Sequence, residues 1–168
     1  PVVMKVVGPV HKSDVGGVVV NVATEERVRG EFERLMKIEA TTGVLLQPML
    51  SGLELFAGVK SEPGFGHLVL CGLGGIFVEV LKDVESGLTP LSQEEALTMI
   101  RDLKGYKMIE GTRGQEGIDE YLFADILIRL GALVETAPEI AELDLNPLLG
   151  SPDFVSAVDA RIRVDKEN

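Results

Sequence analysis

Oxygen-bearing side chains near the C-terminus of the 168-residue chain have a spacing that suits a metal ion. Asp144 and Asn146 alternate with apolar residues, so in a strand they would share one face. A hairpin whose turn is centred between Ser151 and Pro152 pairs Asp144 with Asp159. Two facing aspartates destabilise a sheet unless a cation neutralises them, and these hard oxygen donors suit Mg²⁺. The alternative is a solvated outer face with scattered carboxylates.

Two stretches near the N-terminus could supply groups that handle an anion. Lys5 lies in an apolar strand pattern, where it is either an edge-strand charge or a cation aimed into a cleft. The loop 8–17 carries His11 and the Gly16–Gly17 pair, whose backbone amides could approach phosphate oxygens. His11 could be a nucleophile toward phosphorus or a proton carrier, because the pKa of an unperturbed imidazole lies near neutrality. The alternative is a solvated loop histidine.

Three further charged residues are candidates with weaker support. Glu54 follows a break at Gly52 and could accept hydrogen bonds from a ribose, or it is an exposed edge charge. Glu79 lies among apolar strand residues and needs a partner if it is buried; the alternative is a surface-facing strand position. Arg113 lies between small residues, where a guanidinium can reach an anion or belong merely to a loop.

Composition excludes some classes of partner. The formal net charge of −11 argues against a nucleic-acid backbone or an anionic membrane as the main partner. The single cysteine, Cys71, rules out an internal disulfide and lies in an apolar run, so we expect it to be buried. No apolar run reaches the length of a membrane span and no signal segment begins the chain, so we expect a soluble cytoplasmic protein.

Hydrophobic periodicity predicts the elements that must position these residues. Helices are predicted from the N-cap Thr24 to about residue 40, after the capping box Ser92–Glu95, and from about 117 to 134. The predicted strands are 1–7, 18–22, 44–49, 53–60, 67–71, 76–82 and the closing hairpin. We expect an α+β fold with two parts, a small β-α-β lobe at 1–50 and an antiparallel sheet with helices at 51–168.

Together these stretches resemble the ATP-grasp domain of the NDP-forming acyl-CoA synthetases. That family includes the nucleotide-binding subunit of ADP-forming acetyl-CoA synthetase and, more distantly, the succinyl-CoA synthetase β subunit. The resemblance covers nearly the whole chain, in the family's order. It is carried by Pro1–Lys5, His11–Val18, Gln47–Met49, Gly52–Glu54, Gly72–Val80, Gly111–Gly114, Glu142–Pro147 and Ala157–Arg161.

The resemblance implies an ATP-grasp fold, with residues 1–50 as the lid, 51–168 as the base that carries the metal site, and ATP between them. Lys5, with Gly16 and Gly17, would meet the nucleotide phosphates. The hinge, whose backbone meets the adenine edge, would comprise Gln47, Pro48, Met49 and Leu50. Glu54 would lie near the ribose. Mg²⁺ would be held by Asp144, Asn146 and Asp159, and Glu79 and Arg113 would lie on the phosphate or metal side.

The activity that the resemblance implies is the reversible conversion of acyl-CoA, ADP and phosphate into acid, CoA and ATP. A histidine of a CoA-binding ligase domain or subunit first carries the phosphoryl group, and in the acetyl-CoA synthetase branch a second histidine, at position 11 here, relays it. The family domain normally has a helical portion before the position of Pro1. We therefore expect a subunit or fragment that works within an oligomer and does not complete the reaction alone.

Two other functions compete with this interpretation. One is a non-catalytic, nucleotide-sensing or scaffolding ATP-grasp domain of a larger acetyltransferase-type protein. A pure scaffold has no need of the whole set, which comprises Lys5, His11, Glu54, Asp144, Asn146 and Asp159. The other is an ATP-grasp carboxylate–amine ligase, which is disfavoured because its members lack the His-Lys-Ser-Asp segment.

Overall fold

The computed structural model describes residues 1–9, 12–75, 82–112, 114 and 116–165. The chain separates into two compact units, an N-terminal unit Pro1–Leu50 and a C-terminal unit Ser51–Asn168. Three predicted site residues, His11, Glu79 and Arg113, lie outside the described residues, as does most of the predicted strand 76–82. The expectation of an α+β fold is confirmed, because antiparallel sheets and separate helices make up both units.

The N-terminal unit is a three-stranded antiparallel sheet with one helix. Its elements are β1 (Val2–Val7), β2 (Val18–Val22), α1 (Glu25–Leu35) and β3 (Gly43–Pro48). The strand order is β2-β1-β3, so β1 is the central strand. The core consists of Met4, Val6 and Val22 from the sheet and Leu35 from α1. This small core places α1 against one face of the sheet.

Local signals fix the start of α1 more sharply than its end. The Thr24 side chain accepts a hydrogen bond from the Arg27 amide at 3.3 Å, which confirms the predicted N-cap. The helix ends at Leu35 instead of near residue 40. Turns follow it, and Ala40 adopts a left-handed φ of 62°, which no helix continues through.

The C-terminal unit is a larger antiparallel sheet covered by helices on one face. Its elements are β4 (Leu53–Glu62), β5 (Gly66–Leu73), β6 (Val84–Leu88), α2 (Gln93–Asp102), α3 (Tyr106–Glu110), α4 (Glu120–Thr136), β7 (Ile140–Gly150), β8 (Val155–Ala157) and β9 (Ala160–Val164). The strand order is β6-β5-β4-β7-β8, and β9 also pairs with β7. Two helices, α2 and α4, pack against each other and on the central strands.

The core of this unit lies between the helices and the sheet. Phe123, Leu127, Leu55 and Leu148 are among its fully buried members. Cys71 is also buried there, as expected, and desolvation with help from the charges of Glu85 and Asp83 raises the pKa of its thiol to about 12. Within the described part of the chain, no helix combines the length and apolar character that a membrane crossing requires.

Two elements were not predicted from the sequence. Strand β6 has weak apolar alternation, with a glycine at position 87, and helix α3 has only five residues. The capping box of α2 is confirmed, because the Ser92 hydroxyl accepts from the Glu95 amide and the Glu95 carboxylate accepts from the Ser92 amide. Gly105 stands directly before α3.

Candidate functional site

Lys5 lies on the central strand of the N-terminal unit, so its interpretation as an edge-strand charge is wrong. Its neighbours across the strands are Val18 on β2 and Leu45 on β3. The adjacent residues Met4 and Val6 point into the core beneath α1, so Lys5 belongs to the opposite face. The residue is only 9% exposed. A cation held among apolar neighbours on this face can direct its charge toward an anion.

The loop before β2 uses its glycine amides internally. The Gly17 amide donates to the Lys12 carbonyl at 2.7 Å, and the Gly16 amide donates to the Ser13 carbonyl at 3.1 Å. The Arg34 guanidinium donates two bonds of 3.3 Å to the Gly16 carbonyl. The expectation that the amides of Gly16 and Gly17 are open to phosphate is therefore not met in this conformation. The two glycines give the loop its shape.

The predicted hinge residues continue the face that carries Lys5. Gln47 pairs with Val3 on β1, two residues from Lys5, so both side chains belong to the face opposite α1. Pro48 is exposed at the end of β3, and the Met49 amide donates to the Pro1 carbonyl at 3.3 Å. The segment is therefore fixed to β1 up to residue 49.

The closing hairpin has a register that differs by two residues from the predicted one. Asp144 pairs with Arg161, and not with Asp159. The cause is the turn: Gly150 pairs with Val155 and the Ser151 amide donates to the Phe154 carbonyl at 2.8 Å, so the turn is centred between Pro152 and Asp153, later than predicted. A break at Val158–Asp159 divides the return strand into β8 and β9 but leaves the register unchanged. The Val158 amide donates to the Pro147 carbonyl at 3.1 Å, which keeps this break against β7.

A shift of two residues leaves every side chain on its predicted face. Leu145 pairs with Ala160 and Leu148 with Ala157, so the intervening Asn146 lies across from Asp159. Asp144 lies on the face of β7 opposite Leu143, which is 2% exposed, and the exposed Asn146 lies at the register shift that returns Leu148 to the core. The predicted donors remain neighbours, but the direct Asp144–Asp159 pair does not exist.

Asp144 lies in a partly desolvated position. Its side chain is half-buried, and it faces Gly58 on the neighbouring strand β4. A Cβ built on Gly58 would lie 3.3 Å from Asp144 Oδ1, so the glycine leaves room for the carboxylate. Burial, followed by the charge of Glu142, raises the pKa of Asp144, and Arg161 opposes the shift.

The chemistry of these donors fits a hard divalent cation. Asp144 and Asp159 supply carboxylate oxygens and Asn146 supplies an amide oxygen, the ligand types that Mg²⁺ prefers. Among the described residues, no group of three or more His, Cys, Asp or Glu side chains is placed to hold a metal ion. The proposed ligands do not conflict with this result, because only two of them are carboxylates and the third is an asparagine. Mg²⁺ usually completes its coordination with waters or substrate oxygens.

Glu54 lies near the start of β4, which is an inner strand between β5 and β7, so the edge-charge interpretation is wrong. Its side chain is nevertheless exposed. The Glu54 carbonyl accepts a hydrogen bond from the Gly74 amide at 2.8 Å, and its carboxylate lies over Gly75. The glycine run after β5 thus contacts a predicted site residue.

Sequence reasoning missed a buried carboxylate close to this sheet. Asp83 is 3% exposed, and its oxygens accept hydrogen bonds from the amides of Lys104 at 2.9 Å and Gly105 at 2.8 Å. These contacts tie the chain before β6 to the connection between α2 and α3. A single aspartate next to a predicted strand gives no spacing signal, so only the fold reveals this role.

A cavity of about 400 Å³ lies within the C-terminal unit. It is lined in part by Leu53, Ile118 and Gly150, and by Gly111 and Thr112 from the motif around Arg113. Neither Glu54 nor the predicted metal ligands line it. Leu53 and Ile118 also pack on the hydrophobic core, so the cavity opens beside the helix layer.

Comparisons with known proteins show which family the chain belongs to. A family model described as an ATP-grasp domain matches residues 1–164. The chain is 48% identical over 167 residues to the ADP-forming acetate–CoA ligase II of Archaeoglobus fulgidus, covering 98% of this chain and 24% of that protein. It is 43% identical over 172 residues to the β subunit of ADP-forming acetate–CoA ligase I of Pyrococcus furiosus, covering 96% of this chain and 74% of the subunit.

A solved structure of acetyl-coenzyme A synthetase 1 from Candidatus Korarchaeum cryptofilum matches with a TM-score of 0.89 and 42% identity. The match covers 98% of this chain and 76% of that chain. That structure holds coenzyme A and Mg-AMPPCP, and its phosphohistidine segment points towards the nucleotide-binding site. The chain thus spans about a quarter of the A. fulgidus ligase and about three quarters of the β subunit. On this evidence, the chain belongs to the ATP-grasp domain family, in the group of the ADP-forming acyl-CoA synthetases.

Proposed function

We propose that the chain is the nucleotide-binding, phosphoryl-transferring part of an ADP-forming acid–CoA ligase. The observation that supports this most directly is the closeness of three oxygen donors: Asp144 and the exposed Asn146 on β7, with Asp159 across from Asn146. The similarity to the β subunit of an ADP-forming acetate–CoA ligase gives that face its chemical context. The overall reaction would convert acyl-CoA, ADP and phosphate into acid, CoA and ATP, in either direction.

The step assigned to this chain is the transfer of a phosphoryl group from a histidine to ADP. The bond between phosphorus and the imidazole nitrogen breaks, and a bond forms between phosphorus and a terminal oxygen of ADP, which makes ATP. The ring takes up one proton from solvent, which restores a neutral imidazole. Such transfers depend mainly on positioning and on neutralising negative charge. His11 would be the histidine on this chain that relays the group, with Arg113 and Glu79 on the phosphate side.

The described residues would each contribute to binding or charge balance. Lys5 would offset phosphate charge, since it is a largely buried cation whose cross-strand neighbours, Val18 and Leu45, are apolar. Asp144, Asn146 and Asp159 would hold Mg²⁺, which supplies positive charge at the phosphates when it is bound. The adenine would meet the hinge Gln47–Leu50, and Glu54 would hold the ribose.

A ligase of this kind needs a second component that binds CoA and carries the first phosphorylated histidine. The share of the A. fulgidus ligase that the chain covers supports this, because most of that protein lies outside the matched part. We propose that such a domain or subunit is the partner and that the assembly is an oligomer in the cytoplasm. The net charge of −11 disfavours nucleic acid or an anionic membrane as the partner.

Calorimetric titration of the full protein with ADP in the presence of Mg²⁺ tests the nucleotide site. We expect saturable binding that depends on Mg²⁺ and that Asp159→Asn weakens by about tenfold or more, since the loss of one charged ligand costs at least ~1.4 kcal/mol. Asp153→Asn, in the turn before β8, is the matched control and should bind like the wild type. No binding by the wild-type protein would favour a scaffolding role.

Phosphorylation of His11 needs its own experiment. The complete ligase is incubated with γ-labelled ATP and Mg²⁺, and the label is located by acid lability and peptide mapping. We expect an acid-labile phosphate on residue 11 that His11→Asn abolishes while ADP binding remains. A label found only on the partner would contradict the relay.

A further inference from the structure

We propose that Gly75 is a positioning residue: because it has no side chain, it leaves open the space in which the Glu54 carboxylate lies to meet the ribose of the nucleotide. This inference rests on the proposed nucleotide-binding function and on the place of Glu54 in it. It adds a residue without a side chain to that site. The glycine-rich segment 72–75, which includes the last two residues of β5, would then also contribute to ligand binding.

The backbone brings Gly74 and Gly75 directly against Glu54. The ladder between β4 and β5 pairs Leu55 with Leu73, and the bond from the Gly74 amide to the Glu54 carbonyl, 2.8 Å long, extends it by one step. A Cβ built on Gly74 would lie 3.1 Å from both the carbonyl carbon and the Cβ of Glu54. Any larger residue at position 74 would therefore press on the strand itself.

At position 75 the contact changes from the backbone to the carboxylate. A Cβ built there would lie 2.6 Å from Glu54 Oε2, well inside van der Waals contact. Gly75 also has a φ of +59°, a conformation that glycine adopts without a steric penalty. The carboxylate thus lies on the bare Cα of Gly75, in space that any side chain at position 75 would occupy.

An alanine at position 75 would first meet the flexible end of the Glu54 side chain. Rotation of Glu54 relieves that contact without moving a strand, so we expect Gly75→Ala to displace the carboxylate and leave the sheet intact. Gly58 behaves differently, because its Cβ would meet the backbone carbonyl of Leu143 at 2.7 Å. A substitution there would disturb the pairing of β4 with β7.

The chain offers a matched control for the backbone strain of a left-handed alanine. Gly64, in the turn between β4 and β5, has a φ of +85°, and a Cβ built on it meets nothing within 4 Å. Gly64→Ala therefore carries the conformational penalty without the contact to Glu54. Any effect that Gly75→Ala has beyond that of Gly64→Ala belongs to the contact.

The test measures dissociation constants for ADP, 2′-deoxy-ADP and 3′-deoxy-ADP in the presence of Mg²⁺, on the full protein. We expect Gly75→Ala to weaken ADP about tenfold, the size of one charge-assisted hydrogen bond. Gly75→Ala should change the affinity for at least one deoxy analogue only slightly, because that analogue already lacks the hydroxyl that Glu54 would bind. Gly64→Ala should leave all three constants unchanged.

A double-mutant cycle separates positioning from a general structural effect. Glu54→Ala should weaken ADP at least as much as Gly75→Ala, and adding Gly75→Ala to Glu54→Ala should weaken it no further. Additive losses, equal losses for ADP and both analogues, or an unchanged Gly75→Ala would each overturn the inference. Gly75→Asn carries the same Cβ in a residue that tolerates positive φ, and it replaces the alanine variant if that variant does not fold.

The same titration distinguishes the two levels of the proposal. If the wild-type protein binds no ADP, the proposed function fails. If the wild type binds ADP and Glu54→Ala or Gly75→Ala has no effect, only the positioning role fails.

Discussion

The two units place their candidate residues by different physical means. In the N-terminal unit, a sheet of three strands and one helix holds a cation, Lys5, among apolar neighbours on the central strand. In the C-terminal unit, a larger sheet holds carboxylates at positions where the facing residue is a glycine. Gly58 lies beside Asp144 and Gly75 beneath Glu54. The N-terminal unit therefore packs apolar side chains around its charged residue, whereas the C-terminal unit leaves room for its carboxylates by placing glycines next to them.

The units also differ in the size of their cores. Four buried apolar residues stabilise the N-terminal unit, whereas the buried cluster of the C-terminal unit includes residues from three helices and three strands. Hydrophobic stabilisation grows with the apolar area removed from water. We therefore expect the N-terminal unit to open locally at a lower free energy than the C-terminal unit.

Core truncations should give the largest effects and separate the two units. Phe123→Ala removes a fully buried ring and should lower the free energy of unfolding by about 3–5 kcal/mol, and Leu35→Ala by about 2–5 kcal/mol. Hydrogen exchange read by mass spectrometry should show faster exchange across residues 1–50 for Leu35→Ala and little change there for Phe123→Ala. Chemical denaturation followed by circular dichroism gives the total loss.

Phe65 is the matched control, because it is also a phenylalanine of the C-terminal unit but is 73% exposed. Phe65→Ala should change stability by less than about 0.5 kcal/mol. If Leu35→Ala raised exchange equally in both units, the chain would unfold as one cooperative body and the contrast between the units would be lost.

A substitution at Lys5 should give the next largest effect, on binding instead of on folding. Lys5→Met keeps the length and apolar stem but removes the charge. We expect ADP affinity to fall about 100-fold, or ~2.7 kcal/mol, as for other charges held in partly desolvated sites. Lys37→Met, an exposed lysine of the same unit, should leave affinity unchanged at moderate salt. Equal losses from both variants would reduce the role of Lys5 to general electrostatics.

Surface ion pairs should give the smallest effects and again differ between the units. In the C-terminal unit, Glu120 accepts from Arg101 of α2 and from the Tyr106 hydroxyl at 3.1 Å, so it joins three helices. In the N-terminal unit, Glu25 pairs with Arg29 within α1 at 2.7 Å. We expect Glu120→Gln to cost about 1 kcal/mol after discounting for solvent screening, and Glu25→Gln about 0.3–0.5 kcal/mol.

The cost of Glu120→Gln should depend on pH in a defined direction. The hydrogen bond from Arg101, with that from Tyr106, holds the pKa of Glu120 below its usual value of 4.5. A depressed carboxylate pKa contributes stability that is present above pH 4.5 and is lost as the pH falls through the lower folded-state value. Denaturation at pH 7 and at pH 3 should show a larger difference between wild type and variant at pH 7. A constant difference would mean that the charge of Glu120 is not what stabilises the helices.

Much of the fold follows from the periodicity of the sequence. The alternation around Leu143 and Leu145 correctly predicts their core face, and the cap at Thr24 and the capping box at Ser92 mark helix starts. Local chemistry decides these features, so sequence alone carries them. Short elements such as α3 depend on contacts with distant residues, including the bonds from Lys104 and Gly105 to Asp83, and were missed.

The sequence predicts on which face of its strand a candidate site residue lies, but not which residue lies opposite it on the neighbouring strand. Turn residues at 150–153 indicate a hairpin, yet the turn is centred between Pro152 and Asp153 and not between Ser151 and Pro152, which changes which residues face each other. The central position of Lys5 depends on β3 returning to pair with β1, a contact across some 40 residues of sequence. Non-local pairing is set by the whole sheet and not by neighbours along the chain.

The outer position of β9 has a consequence for colloidal behaviour. Among the described strands it lies at the edge of the sheet, and its Ile162 and Val164 are 55% and 53% exposed. An open edge with β-branched residues is a template for pairing with another chain. Arg161 and Arg163 flank Ile162, and each added strand of the same sequence would stack like charges against them. We therefore expect these arginines to disfavour in-register pairing of this edge with a second copy of the chain, an effect separate from anything the nucleotide site requires.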